Sequence, residues 1–179
     1  MRLRDYFLGI PVRLRSPLSA QTVANRVNSS AASPFWPFTD GVAGRIWLGH
    51  IRLRFRDSFF EYNAKPVLVG RLEDASSGSI LTLRYRAPAW AYVFDLFWYS
   101  FLGLSLLTLL FADMNPALAA SDHAFVSAGF ALFAVFPLGL HYYGTRRSDE
   151  ELTYLLDFLA EQAGATLEQR PGTPNSTIQ

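Results

Sequence analysis

Two long apolar stretches constrain this chain more than any other feature. Residues 89–112 read AWAYVFDLFWYSFLGLSLLTLLFA with one charge, Asp95, and residues 124–143 read AFVSAGFALFAVFPLGLHYY. A helix rises about 1.5 Å per residue, so about 20 residues cross a hydrocarbon core of roughly 30 Å. Neither stretch carries the polar stripe, repeating at about 3.6 residues, that a soluble helix pair needs. The segment 113–123, DMNPALAASDH, holds Asn115-Pro116, a turn signal. The expectation is a transmembrane helix over 89–112, a short extracytoplasmic loop over 113–123 and a second transmembrane helix over 124–143. Composition agrees: 50% of residues are hydrophobic and 17% charged, against about 25% charged in an ordinary soluble domain.

Charge orients the hairpin. Residues 1–88 hold thirteen Lys and Arg against six Asp and Glu. The loop has Asp113 and Asp122 and no cation, and Arg146 and Arg147 follow the second span. Cationic flanks stay in the cytoplasm, which places both ends there. Trp90, Tyr92, Trp98 and Tyr99 at the start of the first span, with Tyr142 and Tyr143 ending the second, form an aromatic belt on the same side. Residues 6–10 are too short an apolar run for a cleavable signal, and Pro11 ends them.

Ionisable groups inside spans are costly and often functional. Counted from the loop centre near Ala117, Asp95 lies 22 residues back and His141 24 forward. A simple hairpin brings the two to one depth, as an intramembrane polar pair, or lets each snorkel to headgroups or to Arg86 and Arg146. Gly103, Ala128, Gly129 and Ala131 offer close approach between the spans, and Pro137 removes one backbone donor from the second.

Before the spans, residues 1–88 read as a strand-rich α+β region. Residues 6–15 pattern as a strand. Ser19 then caps a helix that buries Val23 and Val27, with Leu18 and Val23 as a hydrophobic staple, and Asn28-Ser29-Ser30 ends it. Ile51-Arg52-Leu53-Arg54-Phe55-Arg56 alternates strictly, with arginines on one face. Residues 67–72 and 79–86 are further strands, joined by the turn signal Ser76-Ser77-Gly78. Close spacing points to an antiparallel meander.

After the spans, Ser148 and Glu151 form a capping box, and Leu152, Leu155, Leu156 and Leu159 recur on one helical face. An amphipathic helix over 146–164, stopped at Gly164, is expected to pack on 1–88 and complete its core, and 165–179 to be disordered. The fold class is therefore an α+β membrane protein, with an antiparallel sheet, flanking helices and a two-helix transmembrane hairpin.

Ser16-Pro17-Leu18-Ser19, the stretch 63–70 (NAKPVLVG), Gly78-Ser79-Ile80 and the helix start at Glu150 carry a resemblance. On them the chain resembles small uncharacterised bacterial membrane proteins in which a strand-rich region precedes a two-helix hairpin and a short helix follows. In element order it also resembles bacterial pleckstrin-homology-like domains. The resemblance implies architecture and carries no activity.

Five arginines are candidates for binding lipid headgroups: Arg52, Arg54, Arg56, Arg84 and Arg86. Each cation held near an anionic surface contributes on the order of 1 kcal/mol. The bland alternative pairs them with Asp57, Glu61, Glu73 and Asp74. A formal net charge of +1 and membrane anchorage argue against nucleic acid. No cysteine is present, His50, His123 and His141 are scattered, and no nucleophile elbow or phosphate loop occurs, so no enzyme, metal or cofactor is expected. The expected role is a membrane-anchored interaction module for anionic headgroups or a protein partner. The alternative is a subunit of an oligomeric transport or channel assembly using Asp95 and His141.

Overall fold

The computed structural model describes residues 3–32, 41–56, 65–112 and 120–169. They divide into two compact units, Met1–Ala87 with Gly144–Gln179, and Pro88–Tyr143. Asp57, Glu61 and the turn at Asn115-Pro116 lie outside the described residues.

The first unit is built on one six-stranded antiparallel sheet, in the order β2-β3-β4-β5-β1-β6. Its strands are β1 (Ile10–Ser16), β2 (Gly41–Trp47), β3 (His50–Arg56), β4 (Val67–Ala75), β5 (Gly78–Arg86) and β6 (Thr166–Gln169). Two helices, α2 (Ala20–Ser30) and α5 (Ser148–Ala163), cover one face. Val23 and Val27 of α2 and Leu152, Leu155 and Leu159 of α5 meet Val12, Leu14, Ile51, Leu53, Leu68, Leu81 and Leu83 in a single core. The meander is as expected, because each strand alternates apolar and polar residues and only one face has cover.

Local chemistry holds the helices. Ser19 caps α2, its hydroxyl accepting from the Thr22 N–H at 3.4 Å, and Asp74 accepts from the Ala20 N–H at 2.7 Å. Asn28 does more than end that helix. Its side-chain amide donates to the Ile46 carbonyl at 2.9 Å and accepts from the Ile46 N–H at 2.7 Å, so edge strand β2 has one residue's backbone satisfied.

Several expectations need correction. Residues 6–15 are not one strand: α1 (Leu3–Leu8) comes first, and β1 starts at Ile10. Gly9, at φ 80°, turns the chain between them, its N–H donating to the Asp5 carbonyl at 2.9 Å. The Tyr6 carbonyl accepts from Ala87 at 2.8 Å, and Tyr6 is fully buried. Pro11 is tolerated in β1 because β6 pairs only from Arg13 onward.

The region expected to be disordered from 165 begins with a strand. β6 pairs with β1, and Glu168 lies 3.1 Å from Arg13 and 3.7 Å from Arg15. Ser148 does not cap α5; Arg147 takes that position, without a side-chain cap bond, and Ser148 is buried. Glu151 turns inward, away from the box. The helix does stop at Gly164, in left-handed geometry at φ 57°.

The second unit contains α3 (Ala89–Ala112) and most of α4 (Ala120–Thr145), which begins four residues before the expected span. The helices run antiparallel: Asp95 meets His141, and Trp98, one turn on, stacks on Phe133 with centroids 4.5 Å apart. The small residues do not form the contact. A Cβ added at Gly103 or Gly129 meets nothing within 4 Å, because large aromatic side chains set the spacing. Among the described residues one helix is long and apolar enough to cross a membrane, Ala89–Leu107, and only 11% of its apolar window is buried.

Candidate functional site

Cross-strand partners in a sheet share a face, so the register places each arginine. Arg45 stands opposite Arg52, Arg52 opposite Val69, and Val69 opposite Arg84. His50 stands opposite Arg71, Arg71 opposite Thr82, and Thr82 opposite Arg13. Arg54, Arg86 and Arg15 fall on the same face by alternation, the one that α2 and α5 leave uncovered. Arg13, Arg15, Arg45, Arg52, Arg71, Arg84 and Arg86 are exposed there, and Arg54 is half-buried.

Acid balances this face unevenly. Glu168 neutralises the end at Arg13 and Arg15. Asp74 is engaged with the start of α2, not with an arginine. Among the described residues, Arg45, Arg52, Arg71, Arg84 and Arg86 have no acidic partner. Arg45 instead lies over the Trp47 ring, 5.8 Å from its centroid. Like charges directly opposite on neighbouring strands destabilise a sheet, and Arg45 faces Arg52 in that way. The arrangement can hold several oxyanions side by side.

Of the five candidate headgroup arginines, Arg52, Arg84 and Arg86 are exposed. Arg54 is half-buried and already has a partner. Arg56 is a correction: it is only 5% exposed and engaged in the protein. Pairing of β3 with β4 ends at Leu53, so strict alternation stops predicting exposure beyond it. Reading the sequence alone missed Arg45 and Arg71, and only strand register could have added them. It also missed the turn joining β2 to β3, where Trp47 is 64% and Leu48 77% exposed. Gly49 after two apolar residues was its one sign.

One group of buried polar side chains in the first unit lies at the start of α5. The Glu151 carboxylate lies 2.9 Å from Lys65 Nζ and accepts from the Tyr85 hydroxyl at 3.4 Å. Burial first, and then the Glu151 charge, raise the Tyr85 pKa above its ordinary value, so the phenol stays protonated. Ser148 lies beside it. Serine, lysine and tyrosine together invite a catalytic reading, but Tyr85 and Ser148 are fully buried, leaving a substrate no access. The cluster ties Lys65, two residues before β4, to α5.

In the second unit, Asp95 and His141 are brought together. His141 Nε2 lies 2.9 Å from one Asp95 carboxylate oxygen and 3.0 Å from the other. Their side chains are 2% and 14% exposed, His141 being the deeper. An ionised carboxylate only accepts, so this geometry calls for the proton on Nε2. Trp98, expected in an aromatic belt, packs between the helices and donates to the Phe133 carbonyl at 3.0 Å.

No family model, curated protein or solved structure matches this chain. Function is therefore argued from these sites alone. Among the described residues no group of three or more metal-binding side chains occurs.

Proposed function

We propose that this chain is a membrane-anchored binding module whose arginine-bearing sheet face takes up anionic lipid headgroups. The observation that carries the reading is the uncovered face on which Arg45 stands opposite Arg52, beside Arg71, Arg84 and Arg86. Five cations at about 1 kcal/mol each are enough for salt-sensitive attraction to an anionic leaflet. In this reading the module binds and does not catalyse, and it needs no cofactor.

α3 and α4 are its anchor, a two-span hairpin in a bacterial inner membrane with both chain ends in the cytoplasm. Val93, Leu96, Phe97, Leu104, Leu132 and Val135 are each at least 60% exposed, an arrangement that lipid covers and water does not. The backbone supports this too, since the carbonyl freed by Pro137 is satisfied inside the helix pair.

Because the chain lacks cysteine, a single Thr82→Cys variant carries a fluorophore onto the arginine face. The full chain is placed in nanodiscs of phosphatidylcholine with and without phosphatidylglycerol. A blue shift only with phosphatidylglycerol, reversed by salt and lost in Arg52→Glu/Arg71→Glu, is expected. Equal spectra in the two discs overturn the headgroup reading, and a shift that needs added cell extract instead favours a protein partner.

The buried Asp95–His141 pair favours a second reading, a subunit of an oligomeric transport assembly. Two helices enclose no pathway alone. Crosslinking in membranes that yields a defined oligomer through α3 or α4 supports it; monomers alone remove it.

A further inference from the structure

The turn joining β2 to β3 is built against local preference. Leu48 adopts φ 49°, and Gly49 follows at φ 73°. Two consecutive left-handed residues make the tight turn that best suits a hairpin, and asparagine followed by glycine is its preferred pair. Leucine gains nothing from this conformation, since its Cβ crowds the following carbonyl. Among the described residues Leu48 is the only non-glycine with positive φ and, at 77%, the most exposed large apolar side chain. Trp47 beside it is 64% exposed. A strained position that favours asparagine thus carries a fully presented leucine next to a presented tryptophan.

The neighbours say what covers them. Trp47 shares the arginine face: it stands opposite His50, one register step from Arg45 and Arg52, and His50 in turn stands opposite Arg71. An apolar protein groove would gain nothing from this cationic surround. A bilayer interface matches both parts, because tryptophan settles at headgroup level while arginines meet phosphates.

We infer that Trp47 and Leu48 form a wedge that inserts into the interface of an anionic bilayer and seats the arginine face there. This rests on the headgroup reading and adds a second, apolar element to it. Leu48 is its deepest residue, and the turn that presents it is held by the Leu72 N–H donating to the Gly49 carbonyl at 2.7 Å.

The full chain in nanodiscs tests this with two variants. Leu48→Cys carrying a nitroxide is expected to be more accessible to oxygen than to a water-soluble nickel reagent in phosphatidylglycerol discs. In phosphatidylcholine discs the preference reverses. Leu48→Asn, which suits the turn better, is expected to leave folding intact and lower the ratio of seated to free domain about tenfold, read at labelled Thr82→Cys. A water-exposed Leu48 label alongside a normal Thr82 response overturns the wedge and leaves headgroup binding standing. No response at either label overturns both. A Leu48 label equally shielded in both discs and in detergent identifies a protein contact and also overturns the wedge.

Discussion

The indole Nε1–H of Trp98 donates, at 3.0 Å, to the carbonyl oxygen of Phe133. That carbonyl is the one Pro137 leaves without an intrahelical donor, four residues before the proline. The donor that Pro137 takes from α4 is thus replaced by one from α3. Stacking of Trp98 on Phe133, and its approach to Phe136 at 5.7 Å, surround the bond with apolar rings.

The repair makes Trp98→Phe costly only while Pro137 is present. With α3 and α4 in a bilayer, as proposed, such a hydrogen bond contributes about 0.6 kcal/mol on average and up to about 1.7, so a loss of about 1 kcal/mol is expected. In a Pro137→Ala background α4 supplies its own donor, and the same change should cost roughly half as much or less. Denaturation of the four variants in mixed micelles measures the coupling, and equal losses in both backgrounds would refute the repair.

Lys65 and Glu151 form the one ion pair that is largely buried in the first unit, among the described residues. Removing one partner leaves a charge inside the protein, so Lys65→Met should cost about 3–5 kcal/mol. Replacing both with apolar residues of similar size should recover most of that loss. Thermal melts of Lys65→Met, Glu151→Leu and the pair decide the matter, and additive losses would count against a paired interior.

Tyr85 gives the first unit an alkaline limit. Its folded pKa is raised above the ordinary 10.0, so above pH 10 the unfolded chain releases this proton while the folded chain keeps it. The stability the neutral phenol contributes is complete below about pH 10 and declines as pH rises further. Tyr85→Phe should flatten that decline relative to the parent protein. Melting temperatures across this range, compared between the two, isolate the tyrosine.

Arginines on one strand separate by role. Arg52→Ala removes an exposed cation and should weaken anion-dependent seating by about 1 kcal/mol with stability unchanged within about 0.5 kcal/mol. Arg56→Ala, at 5% exposure, should lower the melting temperature instead. Differential scanning fluorimetry beside the labelled Thr82→Cys response separates them; identical behaviour of the two variants would undo the distinction.

Local patterns carried much of this architecture. Alternation found the Ile51–Leu53 face, Ser19 marked the start of α2, and counting outward from Ala117 brought Asp95 level with His141. What stayed hidden depends on partners far away in sequence. Ser148 and Glu151 satisfy a local capping rule, yet Lys65 and Tyr85 outbid it from 86 and 66 residues away. β6 needs β1 to exist, since four residues have no stability alone. The arginine face emerged only once register placed Arg45 against Arg52, because period-two patterning says which face a residue takes but not what stands beside it.

The Asp95–His141 contact has the sharpest asymmetry between its partners. His141→Ala leaves a carboxylate at 14% exposure with no donor, in a helix whose surroundings are apolar. With α3 spanning a bilayer, as proposed, an uncompensated charge near its middle costs about 2.5–3.5 kcal/mol on insertion scales, and less towards the interface, so a loss of about 1–3 kcal/mol is expected. Asp95→Asn keeps an oxygen that accepts from Nε2 and removes the charge, so it should cost less than about 1 kcal/mol. The double variant His141→Ala/Asp95→Leu, with neither charge nor imidazole, should recover most of the first loss. Unfolding in micelles ranks the three, and a structural pair requires that order. If Asp95→Asn instead proves as damaging as His141→Ala, the carboxylate's charge holds the contact, and a neutral hydrogen bond is refuted.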